Sequence, residues 1–263
     1  MPRTLILAAC LSALPALAFE GVIDLKMTIT GKPPEAKQPI SSTGNITMTI
    51  KGLSSRMDST MTMPGVSTPL KTTVIHRADE PNTTYLVYEA TKTYQKQDSK
   101  ADVDRDESKS TVKRLGKETI AGRTTEHVVV THQADGREME LWVDTNLISS
   151  ADLERAFSAG NQSGSGSWWG ALKKAGVAGV PLKIVSKGRD AYDRVTTEAT
   201  RVESRSVSSS LFQVPAGYTE SKDGMGAISA EQHKEMMKSY LDKLSPQERQ
   251  KVEEMMKKQA GGH

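Results

Sequence analysis

Hydrophobic and polar residues alternate with period two from Phe19 onward. Phe19, Gly21, Ile23, Leu25, Met27 and Ile29 fall on one side and Glu20, Asp24, Lys26, Thr28 and Thr30 on the other, which is how a half-buried strand reads. Ile46, Met48 and Ile50 alternate with Asn45, Thr47, Thr49 and Lys51 in the same manner. So do Met57, Met61 and Met63 with Arg56, Asp58, Thr60 and Thr62. Further strands are predicted at 70–77, 83–89, 92–97, 113–120, 124–132, 137–144, 180–187 and 194–206, with a closing one at 211–215. Turn pairs such as Ala121-Gly122 and Asp135-Gly136 make the whole an antiparallel meander.

The alternation lapses in three places. Residues 99–111 are charged and lack an apolar period, so they read as an exposed loop. Residues 146–179 predict one helix at 150–157, a Gly/Ser linker at 160–167 and a second helix at 168–175, an insertion within one sheet and not a separate domain. Beyond Tyr218 the period becomes helical. Ser229 with Gln232, and Ser245 with Glu248, pair as capping boxes, the second with Pro246 at the first helical position. Met237, Tyr240, Leu241 and Leu244 form one apolar stripe and Val252, Met255 and Met256 another, so residues 225–263 predict an amphipathic helical hairpin. A charged segment with such stripes packs on its own sheet or on a partner more readily than on a membrane.

The first eighteen residues predict export. Arg3 gives a positive start, Leu5 to Leu14 an apolar run, and Ala16-Leu17-Ala18 a small-residue exit, the pattern of a cleaved signal with the mature chain beginning at Phe19. That run is far shorter than the roughly 20 residues of a membrane-spanning helix, and no later segment approaches it. The expectation is a periplasmic or secreted protein without a transmembrane anchor. Cys10 is the only cysteine and lies inside the signal, so the mature chain holds no thiol for disulfide, zinc or nucleophilic chemistry. A net charge of +3 with interspersed signs gives no nucleic-acid footprint. Aromatics make up only 5% of the residues against 12 methionines, so the interior must be aliphatic and adaptable.

Five short segments follow one another in a set order: Phe19-Glu20-Gly21-Val22, Lys92-Thr93-Tyr94, the run from Gly116 to Gly122, that from Glu138 to Asp144, and that from Leu211 to Tyr218. That order resembles a family of exported bacterial proteins, the domain of unknown function 4412 family. Such proteins are similar to periplasmic lipoprotein-localisation carriers. The resemblance implies a mainly β fold with helices: an antiparallel incomplete barrel over residues 19–224, wrapping lid helices supplied by the insertion, above an apolar cavity. It brings a ligand class, lipid or lipoprotein, and no catalytic residues.

Catalytic constellations are absent from the sequence. His127 and His132 differ by an odd number and point to opposite faces of one strand, so they cannot share a metal. His76 has the parity of Leu70 and Val74 and reads as a satisfied core or rim histidine. Glu138, Glu140 and Asp144 share a face with Trp142, which reads as solvated outer surface. His233, Met236 and Met237 in one helical turn read as packing rather than a copper site. No cofactor, metal or enzymatic activity is expected. The leading expectation is a binding protein that buries an acyl chain, lined by Leu25, Met27, Met48, Met61, Leu141, Trp168, Trp169 and Leu172. The alternative is an envelope stress sensor or chaperone-like adaptor that grips an envelope protein through the Met-rich tail.

Overall fold

The alternating stretch that opens the chain becomes the centre of a sheet. In this computed structural model, residues 19–31, 40–62, 68–98, 110–133, 136–148, 166–187 and 194–221 are described, together with Lys234 and Lys238. Strand β1 (Glu20–Gly31) pairs antiparallel with β2 (Ile40–Lys51) on one side. Strands β3 (Ser54–Thr62), β4 (Leu70–Arg77), β5 (Glu80–Tyr88) and β6 (Thr93–Asp98) follow outward as a meander. On the other side of β1 lies β11 (Arg194–Ser204), then β10 (Val180–Ser186), β9 (Glu138–Asp144), β8 (Arg123–His132) and β7 (Ser110–Ile120). A two-residue strand, β12 (Thr219–Glu220), pairs parallel with β6. These twelve strands form one sheet, with β12 and β7 as its edges.

The strands predicted between 19 and 206 form, as does the antiparallel meander, and three expectations are corrected. The sheet is open, so the expected incomplete barrel is present as a single sheet with two free edges. Edge β7 carries exposed Lys113, Arg114 and Lys117, charges that discourage further pairing there. The closing strand expected at 211–215 does not form. Instead Ser208 caps a 3-10 turn, Ser209–Phe212, and the backbone hydrogen bonds go to that turn. Third, helix α1 (Gly166–Lys174) begins two residues before the expected 168 and ends within the last turn predicted. The signal at 1–18, the loop expected at 99–111 apart from Ser110 and Thr111, which instead open β7, the helix at 150–157 and the hairpin at 225–263, apart from Lys234 and Lys238, lie outside the described residues.

The two faces of the sheet are covered by different elements. Register places Val128, Leu141, Ile184, Thr197, Met27, Gly44, Met61 and Leu70 in one cross-strand row, hence on one face. At the β7–β10 end of that face α1 packs down, with Ala171 and Leu172 against Val128, Val130, Leu141 and Val143. On the opposite face, at the β4–β5 end, the chain after β11 crosses over and buries Val207 and Phe212 against Ile75, Tyr85 and Val87. Lys51 anchors this crossing by donating to the Val207 carbonyl at 2.7 Å, while Glu20 accepts from the Val207 N–H at 2.6 Å. A third cluster joins Ile23, Leu25 and Ile50 to Leu147, Ile148, Val180 and Leu182, which come from the ends of β9 and β10.

Candidate functional site

Three groups of expected lining residues emerge, all on the face that carries α1. Leu141 and Leu172 are fully buried together, and Trp168 packs on them half-buried. Leu25 is buried in the cluster of Ile23 and Leu182, with Met48 packed against it. Met27 and Met61 are half-buried and flank Gly44, their common register partner. The side chain of Trp169 lies outside what is described. Leu25, Leu141 and Leu172 are thus core, and the open part of the face belongs to the methionines.

That part extends beyond the expected residues. A second cross-strand row runs Val202, Ile23, Met48, Met57, Val74, Leu86 and Gln95. Met27, Met57, Met61, Leu70, Val74 and Leu86 are each half-buried and belong to none of the three buried clusters. Gly44 shapes this surface. A Cβ there would lie 3.2 Å from Met27 Cε and 3.0 Å from the Thr60 carbonyl oxygen, so the missing side chain leaves the place that the Met27 methyl fills. Met57 shares the parity of Met61 along β3 and was readable from the sequence, whereas Val74 and Leu86 joined the face only through strand pairing.

His76 stands at the rim of this apolar area. Its register partners are Ser55 and Thr84, and the Thr84 hydroxyl lies 3.3 Å from its Nδ1. Burial lowers its pKa below the ordinary histidine value, so the imidazole sits there neutral. The expectation of a satisfied histidine is met.

The opposite face carries the charge. Asp24 accepts from Thr47 Oγ1 at 2.8 Å and pairs with Arg201 at 2.8 Å; burial works to raise its pKa, and these donors outweigh it and lower the value. Burial pushes the Tyr85 hydroxyl up to about 12, helped by its hydrogen bond to Glu80. The solvated outer surface expected around Trp142 is corrected. Trp142 is 6% exposed, stacked on His127 with ring centroids 4.0 Å apart, and covered from β10 by Lys183, whose Nζ stands 4.8 Å from the ring centre. Asp144 is buried as well, accepting from Arg123 and from the Asn146 N–H at 2.9 Å. Its work is to hold the β7–β8 turn to the end of β9. Among the described residues no group of three or more His, Cys, Asp or Glu side chains is placed to hold a metal. None of the described helices is long and apolar enough to cross a membrane.

Fold and site together define a mainly β protein whose open sheet presents one half-buried methionine face. The chain belongs to the family described as Domain of unknown function (DUF4412), whose model matches residues 19–218. Solved structures similar to it include an uncharacterised conserved protein from Thermus thermophilus, with 8% identity over 74% of this chain and 89% of that one and a TM-score of 0.38. The complex of MucA and MucB from Pseudomonas aeruginosa matches with 14% identity over 74% of this chain and 56% of that one, TM-score 0.38. The Mycobacterium tuberculosis lipoprotein LppX matches with 10% identity over 72% and 89%, TM-score 0.34. No curated protein matches the sequence.

Proposed function

We propose that this chain is an exported, non-enzymatic binding protein that holds a lipid, a lipoprotein acyl chain or another apolar ligand on the α1 face of its sheet. One observation carries the reading. Met27, Met57, Met61, Leu70, Val74 and Leu86 make a half-buried apolar surface over β1–β5 that joins no buried cluster, beside a helix already seated on the same face. Burying an acyl chain there gains about 0.8 kcal/mol per methylene. Methionine side chains, unbranched and polarizable, adapt to chains of differing length. Trp168 packs on the Leu141 and Leu172 cluster of the same face.

Native mass spectrometry of protein purified from its own bacterial envelope tests the proposal. The expected result is a mass adduct that lipid extraction removes, and a Met57→Asp, Met61→Asp variant that emerges without it. A folded protein that carries no adduct, and that binds no added dansyl-labelled long-chain fatty acid, would overturn it.

A further inference from the structure

The two faces of the sheet between β1 and β6 differ in charge without exception along their paired rows. Two further cross-strand rows lie on the α1 face, one on each side of the row through Met57. The first is Gly21, Ile50, Ser55, His76, Thr84 and Gln97; the second is Leu25, Ile46, Ser59, Thr72, Tyr88 and Thr93. Together with the rows through Met57 and Met61, they hold no Lys, Arg, Asp or Glu between β1 and β6. Asp24, Lys26, Arg56, Asp58, Lys71 and Lys96 all fall on the other face.

Uncharged is not the same as apolar. Over β3–β6 both flanking rows turn polar, so the apolar strip Met57, Val74 and Leu86 runs between two ladders of hydroxyl, amide and imidazole groups. Each ladder stands two residues away along the strands, roughly 7 Å. The ladders bond within the sheet: the Thr84 hydroxyl lies 3.3 Å from His76 Nδ1, Tyr88 donates to Gln95 Oε1 at 3.3 Å, and Ser59 donates to the Thr72 carbonyl at 3.1 Å. A hydroxyl that donates still has lone pairs to accept with, and an imidazole kept neutral by burial, as at His76, has one donor and one acceptor.

Such a face selects from two sides. A carboxylate or phosphate laid on it would lose its water and meet no cation, which costs more than hydroxyl donors return. A bare hydrocarbon would strip water from both ladders and put nothing in its place. An acyl chain joined through an ester or amide fills the strip and gives the ladders a neutral carbonyl. We propose that the ligand of this face is an uncharged acyl ester or amide, its chain along Met57, Val74 and Leu86 and its linkage against the flanking hydroxyls, and that free fatty acids and anionic lipids are discriminated against. This deepens the reading above and rests on it for the face being a binding surface.

Calorimetric titration of the delipidated mature chain with 1-decanoylglycerol and with decanoate, at neutral pH, tests it, because the two share one acyl chain and differ in charge. The glyceride should bind about tenfold or more tightly than the anion. Thr72→Lys sets a cation into one ladder, and should strengthen decanoate binding until the two ligands differ by about threefold or less. Ser59→Lys, at the register partner of Thr72, should do the same, and Lys71→Gln on the other face should leave the parent ratio unchanged. Decanoate binding as tightly as the glyceride in the parent overturns the ligand class and leaves the carrier reading standing. If neither probe binds, the lipid released from envelope-purified protein decides: an uncharged ester or amide upholds the class, an anionic lipid overturns it, and no lipid at all overturns the carrier reading itself.

Discussion

Single side chains decide which parts of this molecule are structure and which are surface. Trp142 shows how far parity carries: its place opposite Leu141 follows from the alternation of β9, but its burial comes from His127 and Lys183 on the two flanking strands. No local pattern holds that information. His76 is the residue with a measurable consequence in solution. Its imidazole is held neutral by burial, so between its lowered pKa and the ordinary 6.5 the folded chain binds fewer protons than the unfolded one. Unfolding then takes up protons, and stability falls as pH falls through that window and rises as pH is raised. The lowered carboxylates of Asp24 and Asp79 act in a separate range, since their contribution is lost only on acidification below the ordinary 3.8. Urea midpoints between about pH 7 and pH 5 should therefore decline in the parent and decline less in His76→Gln. A slope left unchanged by the substitution would assign the titration to another group.

At the scale of elements, the strands were legible and the covers were not. Period-two runs located β1 to β11 to within a few residues, because each strand buries one face and wets the other. The segment at 211–215 misled for the same reason: Leu211, Phe212 and Val214 look like strand, yet only Phe212 is buried, beneath a turn capped by Ser208. β12 went unseen, being two exposed residues held by a parallel partner. The β7–β8 turn was read correctly, since Ala121 and Gly122 both take positive φ, as a two-residue hairpin requires. For α1 the sequence located the helix but not its role. Leu172 has no exposed surface and sits on Leu141, so the helix is part of the core and not a cover that lifts away. Leu172→Ala should cost about 3 kcal/mol in chemical denaturation, as full burial dictates, while Met61→Ala on the half-buried face should cost about 1 kcal/mol or less. Comparable losses at the two positions would place Met61 in a closed core and remove it from the binding face.

Over the whole molecule, the arrangement of strands concentrates stability in the middle of the sheet. β1 is joined on one flank to β2 and on the other to β11, the last strand of the long antiparallel array, and Val22 and Ile23 are 1% exposed. Closing β1 against β11 brings Gly21 opposite Ser204, so most of the chain must be in place first, and folding of such non-local topology is slow. The edges differ. β7 is exposed along nearly its whole length, and β12 holds on through Thr219, Glu220 and the Ser221 N–H. Opening should therefore proceed from the edges inward, with the lowest free energies at β12 and β7 and the highest at β1, β2 and β11. Hydrogen exchange followed by mass spectrometry should show that gradient, with amides of β1 and β11 exchanging last. An acyl ligand on the methionine face should slow exchange in β3, β4 and β5 and leave β7 unchanged, because the residues it buries lie on those strands. Uniform protection across the twelve strands would mean that the sheet opens as one cooperative unit, and that its methionine-bearing half is held as firmly as the half beneath α1.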